Sequence, residues 1–394
     1  MSKRTDRVML MKTIKFYFIV MISISLLTGC WNRIEVNDIA IVTAIGLDLQ
    51  EDDKIRLSLQ VAIPSKLGPT SGTGTSGSGN STFMISETGA TLSEAFRHLQ
   101  GKLSRRVFFS HSRVLLIGED LAKEGVSHIL DFYSRYHQPR MNSYIMFTKG
   151  DAFDVIKNQP QLESVSAEET RELTKLTVGL TVNIKDFLDM LLTEGLEPVA
   201  PQFASEPLEV NTDSQSENAQ AIVGAAVFRG DKLVGWMNDN ETRGILWLRN
   251  EMNMGVITVD LPKGKGDGHI SSNIIRSETN IEPKIKNGKI HISVNTTSEM
   301  NVMENASELS LDDSKNIEKL QKEIEKEIKN RIQKALDKAK DDLESDIFGF
   351  GEAVYKKYPK QWNEKYKKSW EKDFPELDVS INPKVYVRRI GLTK

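Results

Sequence analysis

The sequence predicts a multi-domain α+β fold, with mixed and antiparallel sheets packed against helices. Three observations carry that reading. Strand-like and helix-like runs follow one another without regular βαβ alternation. A proline-punctuated polar stretch divides the chain near its middle. A long amphipathic helix lies between strands in the second half. At 394 residues the chain can build two or three cores, and 39% hydrophobic with 27% charged residues is a globular composition.

Residues 1–15 carry Lys3, Arg4, Arg7, Lys12 and Lys15 against Asp6, and Phe16 to Leu27 is an apolar run broken only by two serines. This is the layout of a signal peptide over 1–29. Such a run spans about 18 Å as a helix, short of the roughly 30 Å hydrocarbon core, so a cleaved leader fits better than a permanent span. Leu27-Thr28-Gly29-Cys30 then matches a bacterial lipobox: an aliphatic residue, two small residues that a peptidase can grip, and a thiol that accepts diacylglycerol. Cys30 is the sole cysteine, which excludes disulfides, thiolate metal clusters and cysteine nucleophiles elsewhere. Lipidation is expected at Cys30. Two acyl chains at about 0.8 kcal/mol per buried methylene would anchor the protein stably to the membrane. A tether over 30–38 then reaches at most about 29 Å before the first strand.

Net charge is −3, and removing the leader's +4 leaves −7 on the mature chain. An acidic ectodomain offers no general attraction for phosphates, so nucleic acid is not an expected partner.

The first domain is expected over 39–197. Ile39 to Leu49 and Lys54 to Ile63 read as a hairpin turning at Gln50-Glu51-Asp52-Asp53. Lys66 to Asn80 is glycine, serine and threonine with little to bury, a flexible loop. A strand at Thr82 to Ile85, a helix over Leu92 to Leu103, a buried strand at Arg113 to Ile117, helix over Glu119 to Tyr136 and a strand at Tyr144 to Phe147 follow. Further helices fit Ser164 to Leu176 and Ile184 to Leu192. Pro198, Pro201 and Pro207 punctuate a linker placed at 198–220.

The second module is expected over 221–394, folding alone, with a second division placed near 305. Ala221 to Phe228 and Leu233 to Trp236 are strands, Glu241 to Arg249 a short helix, and Ile270 to Ile285 with Lys289 to Val294 a hairpin through Asn287-Gly288. From Ser314 to Ser345 apolar residues recur every three or four, among them Ile317, Leu320, Ile324, Ile328, Ile332 and Leu336. Leu377 to Ile390 alternates like a strand closing a sheet against this helix, and Pro383 places it at an edge or a bulge.

No HExxH, GxSxG, Walker A or EF-hand pattern is present. Gly72, Gly74 and Gly77 form a literal GxGxxG, but a strand follows instead of the helix N-terminus that would hold a phosphate. Lys263-Gly264-Lys265-Gly266-Asp267-Gly268 lacks the Ser or Thr of a P-loop and reads as a mobile turn. His128 and His137 with Asp131 between them read as a helix-surface cluster rather than a metal site. No catalytic residue, metal or cofactor is expected. Tyr355, Tyr358, Trp362, Tyr366, Trp370 and Phe374 recur about every four residues among seven lysines. They are read as a core stripe with solvated lysines, a membrane- or partner-facing surface being the alternative.

Gly29-Cys30-Trp31-Asn32-Arg33-Ile34-Glu35 running into Ile45-Gly46-Leu47-Asp48 resembles the start of the Ger(x)C lipoproteins, the C subunits of spore germinant receptors. Ser110-His111-Ser112-Arg113, Leu115 to Glu119 and Leu121 to Gly125 continue the resemblance in order. So do Val234-Gly235-Trp236, Glu241 to Trp247, Phe348-Gly349-Phe350-Gly351 and Tyr358-Pro359 with Trp362. The resemblance implies α+β domains without enzymatic activity, on the outer leaflet of the spore inner membrane, in partnership with polytopic A and B subunits. The germinant need not be bound by this chain, and only Cys30 takes a defined role. The Lys66 to Asn80 loop looks longer than is usual in that family. The alternative from another class is a solute-binding lipoprotein of a transporter, which would want a two-lobed α/β architecture.

Overall fold

The computed structural model describes residues 2–25, 35–63, 81–136, 138–157, 179–207, 218–261, 264 and 266–391. It holds two compact units, 1–39 and 40–394. The first contains α1 (Ser2–Ser25), exposed from Met9 to Ser23. Cys30 lies outside the described residues. Among those residues no helix is long and apolar enough to cross a membrane.

The second unit is built on two sheets. Strands β1 (Ile39–Leu49), β2 (Ile55–Ala62), β3 (Thr82–Gly89), β4 (Arg106–Phe108), β5 (Val114–Gly118), β6 (Tyr144–Thr148), β7 (Val199–Pro207), β8 (Asn218–Arg229) and β9 (Lys232–Asn238) form the larger one. Its order is β3-β2-β1-β5-β6-β7-β8-β9, with β4 beside β1. The middle is parallel, β1 to β5 to β6 to β7, and both flanks are antiparallel. All five residues of β5 are buried, as a central parallel strand of unbroken apolar sequence requires. On one face pack α2 (Leu92–Lys102), α3 (Glu119–Glu124), α4 (Ser127–Arg135) and α6 (Ile184–Leu192), whose buried residues join the main core. On the other, α5 (Ala152–Ile156) lays Ala152, Val155 and Ile156 over Ala44, Val114, Leu116, Met146 and Phe203. The loop at Lys66 to Asn80, with its GxGxxG, and the helix expected over Ser164 to Leu176 lie outside the described residues.

The stretch expected as a linker, 198–220, instead carries the sheet from one half of the chain to the other. β7 and β8 pair from Val199↔Val227 to Pro207↔Asn218. Phe228 N–H donates to Pro198 O at 3.0 Å, so in this register the backbone of residue 201 faces away from β8. There β7 meets β6 only at Phe147↔Gln202, so Pro201 withdraws no ladder bond. Prolines tolerated in this way look, in a sequence, like a break.

The second sheet comprises β10 (Val256–Leu261), β11 (Gly268–Lys286), β12 (Lys289–Ser307) and β13 (Asp378–Arg389), in that order. Asn287 and Gly288 take φ of 50° and 73°, the left-handed pair of a tight hairpin turn. β12 runs on well past Val294, so the division placed near 305 falls at its last residues. Across this sheet lies α8 (Ser314–Asp337), burying Leu320, Ile324, Ile328, Ile332, Ala335 and Leu336 and closing in a π-turn over Lys338–Asp342. Gly244 of α7 (Asp239–Leu248) allows close crossing: a Cβ there would stand 2.5 Å from Arg331 O and 2.6 Å from Ala335 Cβ.

β13 is the edge strand that Pro383 suggests, parallel to β12. Its outward donors are quenched. Val385 N–H reaches Glu325 and Val387 N–H reaches Gln321 on α8, both at 3.0 Å. Pro383, in the same alternation, has no N–H to offer.

Candidate functional site

Three clusters bring together residues far apart in sequence, and each is built on one of the blocks that carry the family resemblance. The first is Asp48, at the C-terminal end of β1 and 1% exposed. Its carboxylate accepts from the N–H groups of Ala152 (2.5 Å) and Phe153 (3.2 Å), capping α5, and from Arg56 at 2.9 Å. Arg56 also donates to Asp151 at 2.8 Å and stacks over the Phe153 ring. Burial pushes the Asp48 carboxyl above its ordinary range, against the pull of Arg56 and the two amides. A Cβ on Gly118 would come within 2.5 Å of Asp48 Oδ1, so the glycine of the Leu115 to Glu119 block makes room for this cap.

The second cluster lies at Phe348-Gly349-Phe350-Gly351, which opens α9 (Phe350–Lys357). Just before it, Asp346 is 3% exposed and accepts from the N–H groups of Gly349 (3.0 Å), Phe350 (3.1 Å) and Gly351 (2.8 Å) and from Trp370 Nε1 (3.1 Å). Burial pushes its carboxyl up to about 6, and the four donors restrain the rise. With both oxygens doubly occupied, Asp346 fixes a turn and has no lone pair directed at a ligand. The other half of the chain enters at Gly195, φ 75°, whose O accepts from Glu352 N–H at 2.9 Å. A Cβ on Gly195 would meet the Gly351 carbonyl carbon at 2.4 Å. Beside it Glu194 accepts from Trp362 Nε1 at 3.1 Å and pairs with Lys367.

The third cluster is partly exposed. Trp236 Nε1 donates to Glu119 at 3.3 Å, Lys123 pairs with Glu119 at 2.9 Å, and the Lys149 ammonium lies 5.9 Å from the Trp236 ring centroid. Burial raises the Glu119 carboxyl, but the hydrogen bonds from Lys123 and Trp236 outweigh it and hold the group below its ordinary range. Nearby, Val126 N–H donates to Asp231 O, tying the start of α4 to the turn before β9.

Four of the six aromatic residues are core, while Tyr355 is exposed and Tyr358 half-buried. Trp362, Tyr366, Trp370 and Phe374 are 8% exposed or less, spread over α10 (Pro359–Glu364), a 3-10 turn and α11 (Trp370–Asp373), while the seven lysines are exposed. Lys365 Nζ and Tyr366 OH both donate to Gly288 O, seating the β11–β12 hairpin tip on this segment. Asp131 is held by Arg135 at 2.8 Å, and His137 lies outside the described residues. Gly264, Gly266, Asp267 and Gly268 form the turn into β11, Lys263 and Lys265 lying outside the described residues.

Sequence reading singled out neither Asp346, Glu194 and Gly195 nor any role for Asp48. The available signal is an acid two residues before a Phe-Gly-Phe-Gly turn, where small residues let several N–H groups converge on one carboxylate.

Comparison with known proteins places the chain in a family. Residues 32–205 match the model of the spore germination protein N-terminal domain, and 223–391 match that of spore germination B3/GerAC-like proteins, C-terminal. From Bacillus subtilis (strain 168), spore germination protein KC is 29% identical over 95% of each chain. Spore germination protein B3 is 27% identical over 94% of this chain and 96% of its own. The crystal structure of the GerBC protein superposes with a TM-score of 0.56 at 20% identity, over 87% of this chain and 96% of that one, which shows the shared fold. The chain therefore belongs to the GerAC-like family of spore germination proteins.

Proposed function

We propose that this chain is held by a lipid on Cys30 at the outer leaflet of the spore inner membrane and triggers germination by contact with polytopic A and B subunits. The observation that carries this reading is the second cluster. Residues from both halves, Glu194 and Gly195 on one side and Asp346 to Glu352 on the other, lock through backbone contacts and a saturated buried carboxylate. Such a joint suits a subunit that transmits position rather than one that turns over a substrate. The solute-binding alternative asks for two lobes around a cleft, and the single apolar cluster shared by both sheets gives it no support.

The test is Cys30→Ala, since the residue lies ahead of the first strand and its loss should leave the ectodomain folded. Metabolic palmitate labelling and processing of the leader should be lost and membrane retention should fall sharply, because without two acyl chains only an uncleaved segment too short to span comfortably remains. Spores carrying the variant should respond poorly to the nutrient this receptor serves. Normal labelling of the variant would sink the lipid assignment, and normal germination with proven release would sink the need for an anchor.

A further inference from the structure

One block of the family resemblance, Ser110-His111-Ser112-Arg113, takes part in none of the three clusters. It lies on the rim of the large sheet where the parallel strands begin. Val114 of β5 is level with Ala44 of β1, and Tyr144 of β6 is level with Val114. β1 runs back beyond that level, so the chain enters the second unit at this rim. Hydrogen bonds tie the loops here into one surface. Arg113 N–H donates to Thr43 O at 3.0 Å and Tyr144 N–H to Arg113 O at 2.9 Å. Ser143 Oγ donates to Ser112 O at 2.8 Å, and Ser110 Oγ to Gln138 O at 3.2 Å. β4, which pairs with β1, leads into the first of these loops.

The two loops carry arginines and no acid. Residues 103–113 and 138–143 include Arg105, Arg106, Arg113 and Arg140, without an Asp or Glu among them. Arg105, Arg106 and Arg140 are exposed and Arg113 is half-buried. Among the described residues no ion pair or hydrogen bond engages any of the four side chains. The adjoining helix brings acids of its own. α6 starts against the second loop, Lys185 N–H donating to Met141 O at 3.0 Å, and carries Asp186 and Asp189. Asp186 closes the cap of α6 with Asn183, and Asp189 pairs with Lys185 at 3.1 Å. With Lys185 counted, five cations face these two acids, on a mature chain whose net charge is −7. Glu35 and Asp38 precede the rim in the first unit.

Free guanidinium forks suit one ligand chemistry above others, the paired oxygens of a phosphate. What commits the rim to a lipid surface is its place beside the entry of the chain. A tether over 30–38 reaches at most about 29 Å, so an anchor at Cys30 holds this rim near the headgroups. That choice of ligand rests on the reading of Cys30. We propose that Arg105, Arg106, Arg113 and Arg140 bind the phosphates of anionic lipids, giving the ectodomain a second attachment that turns this rim toward the bilayer. A lipid surface acts on charges within about one screening length, about 10 Å at 0.1 M salt, so acids elsewhere on the chain do not cancel the rim.

The test uses the ectodomain from residue 31, which carries no lipid and keeps the whole second unit. It is sedimented with vesicles of phosphatidylcholine alone, or with about 30 mol% phosphatidylglycerol, in about 0.1 M NaCl. It should bind the anionic vesicles at least about tenfold more strongly than the neutral ones, where an evenly charged acidic protein would be repelled. Arg105→Gln combined with Arg106→Gln and Arg140→Gln, all at exposed positions, should weaken that binding at least about tenfold with the thermal midpoint unchanged. Lys360→Gln combined with Lys368→Gln and Lys372→Gln makes the same change in net charge within the aromatic segment and should alter binding by less than about twofold. Equal binding to both vesicles, wild-type binding by the arginine variant, or equal losses in the two triple variants would overturn the proposal. So would binding to neither vesicle, which would leave the rim to an acidic protein surface. Vesicle binding by this unlipidated protein and palmitate labelling at Cys30 are separate measurements, so each reading fails without the other.

Discussion

Asp346→Asn is the most informative single change. In the wild type one carboxylate satisfies Gly349, Phe350, Gly351 and Trp370. An amide of the same shape has one accepting oxygen, so two of these buried donors face an NH2 group and lose their acceptor, at about 1–3 kcal/mol each. Against that loss, the variant no longer buries a charge. The carboxyl is raised from 3.8 to about 6, which corresponds to about 3 kcal/mol between folded and unfolded states. At pH 7.5 the two effects largely offset and leave a net change of between about −1 and +3 kcal/mol in the destabilising direction. The pH dependence follows from the direction of the shift. A group with a raised folded-state value stabilises the fold in its protonated form, fully below 3.8, and that contribution is lost as pH rises through about 6. The wild type therefore gains about 2 kcal/mol at pH 4.5 from this group, and the Asn variant does not. Urea unfolding of the ectodomain from residue 31 onward, for both proteins at the two pH values, should show the gap widening by that amount on acidification. A gap independent of pH would refute the assignment of Asp346 as a buried carboxylate held by four donors.

Arg56→Ala should cost about 3–5 kcal/mol, because it leaves Asp48 buried without its cation, and chemical denaturation against Arg56→Lys will show whether the fork geometry matters beyond the charge. Trp362→Ala, at a residue 2% exposed, should cost about 3–5 kcal/mol and free Glu194, whereas Trp362→Phe should retain most of the packing; an alanine variant as stable as the wild type would contradict the core reading. The fragment 221–394, expected from sequence to fold alone, should melt without cooperativity, because it truncates β8, leaves the rest of that strand without β7 and removes Gly195 from the Gly351 turn; a sharp two-state melt would restore the linker.

What was legible in the sequence is what has a local period. The stripe of α8, the Asn287-Gly288 turn, the edge position of β13 and the burial of Trp362, Tyr366, Trp370 and Phe374 all follow from spacing or from one residue's backbone constraint. The continuity of the large sheet was hidden because Pro198, Pro201 and Pro207 signal a break by their chemistry. Only the register of β7 reveals that residue 201 turns its backbone toward the side where almost no ladder exists.

The buried carboxylates were hidden for a different reason. Asp48 and Asp346 sit in sequence like any surface acid, and what makes them structural is the convergence of N–H groups from Ala152 and Phe153 or from Gly349 to Gly351. Convergence of that kind is a property of turns, and the sequence marks it only indirectly, through glycines where a Cβ would collide. Gly118, Gly195, Gly244 and Gly351 each stand where a side chain would strike a neighbour from a distant segment. Gly118, Gly244 and Gly351 lie in blocks that carry the family resemblance. Gly118, Gly244 and Gly351 therefore report tertiary joints, places where segments far apart in the chain pass too close for a side chain.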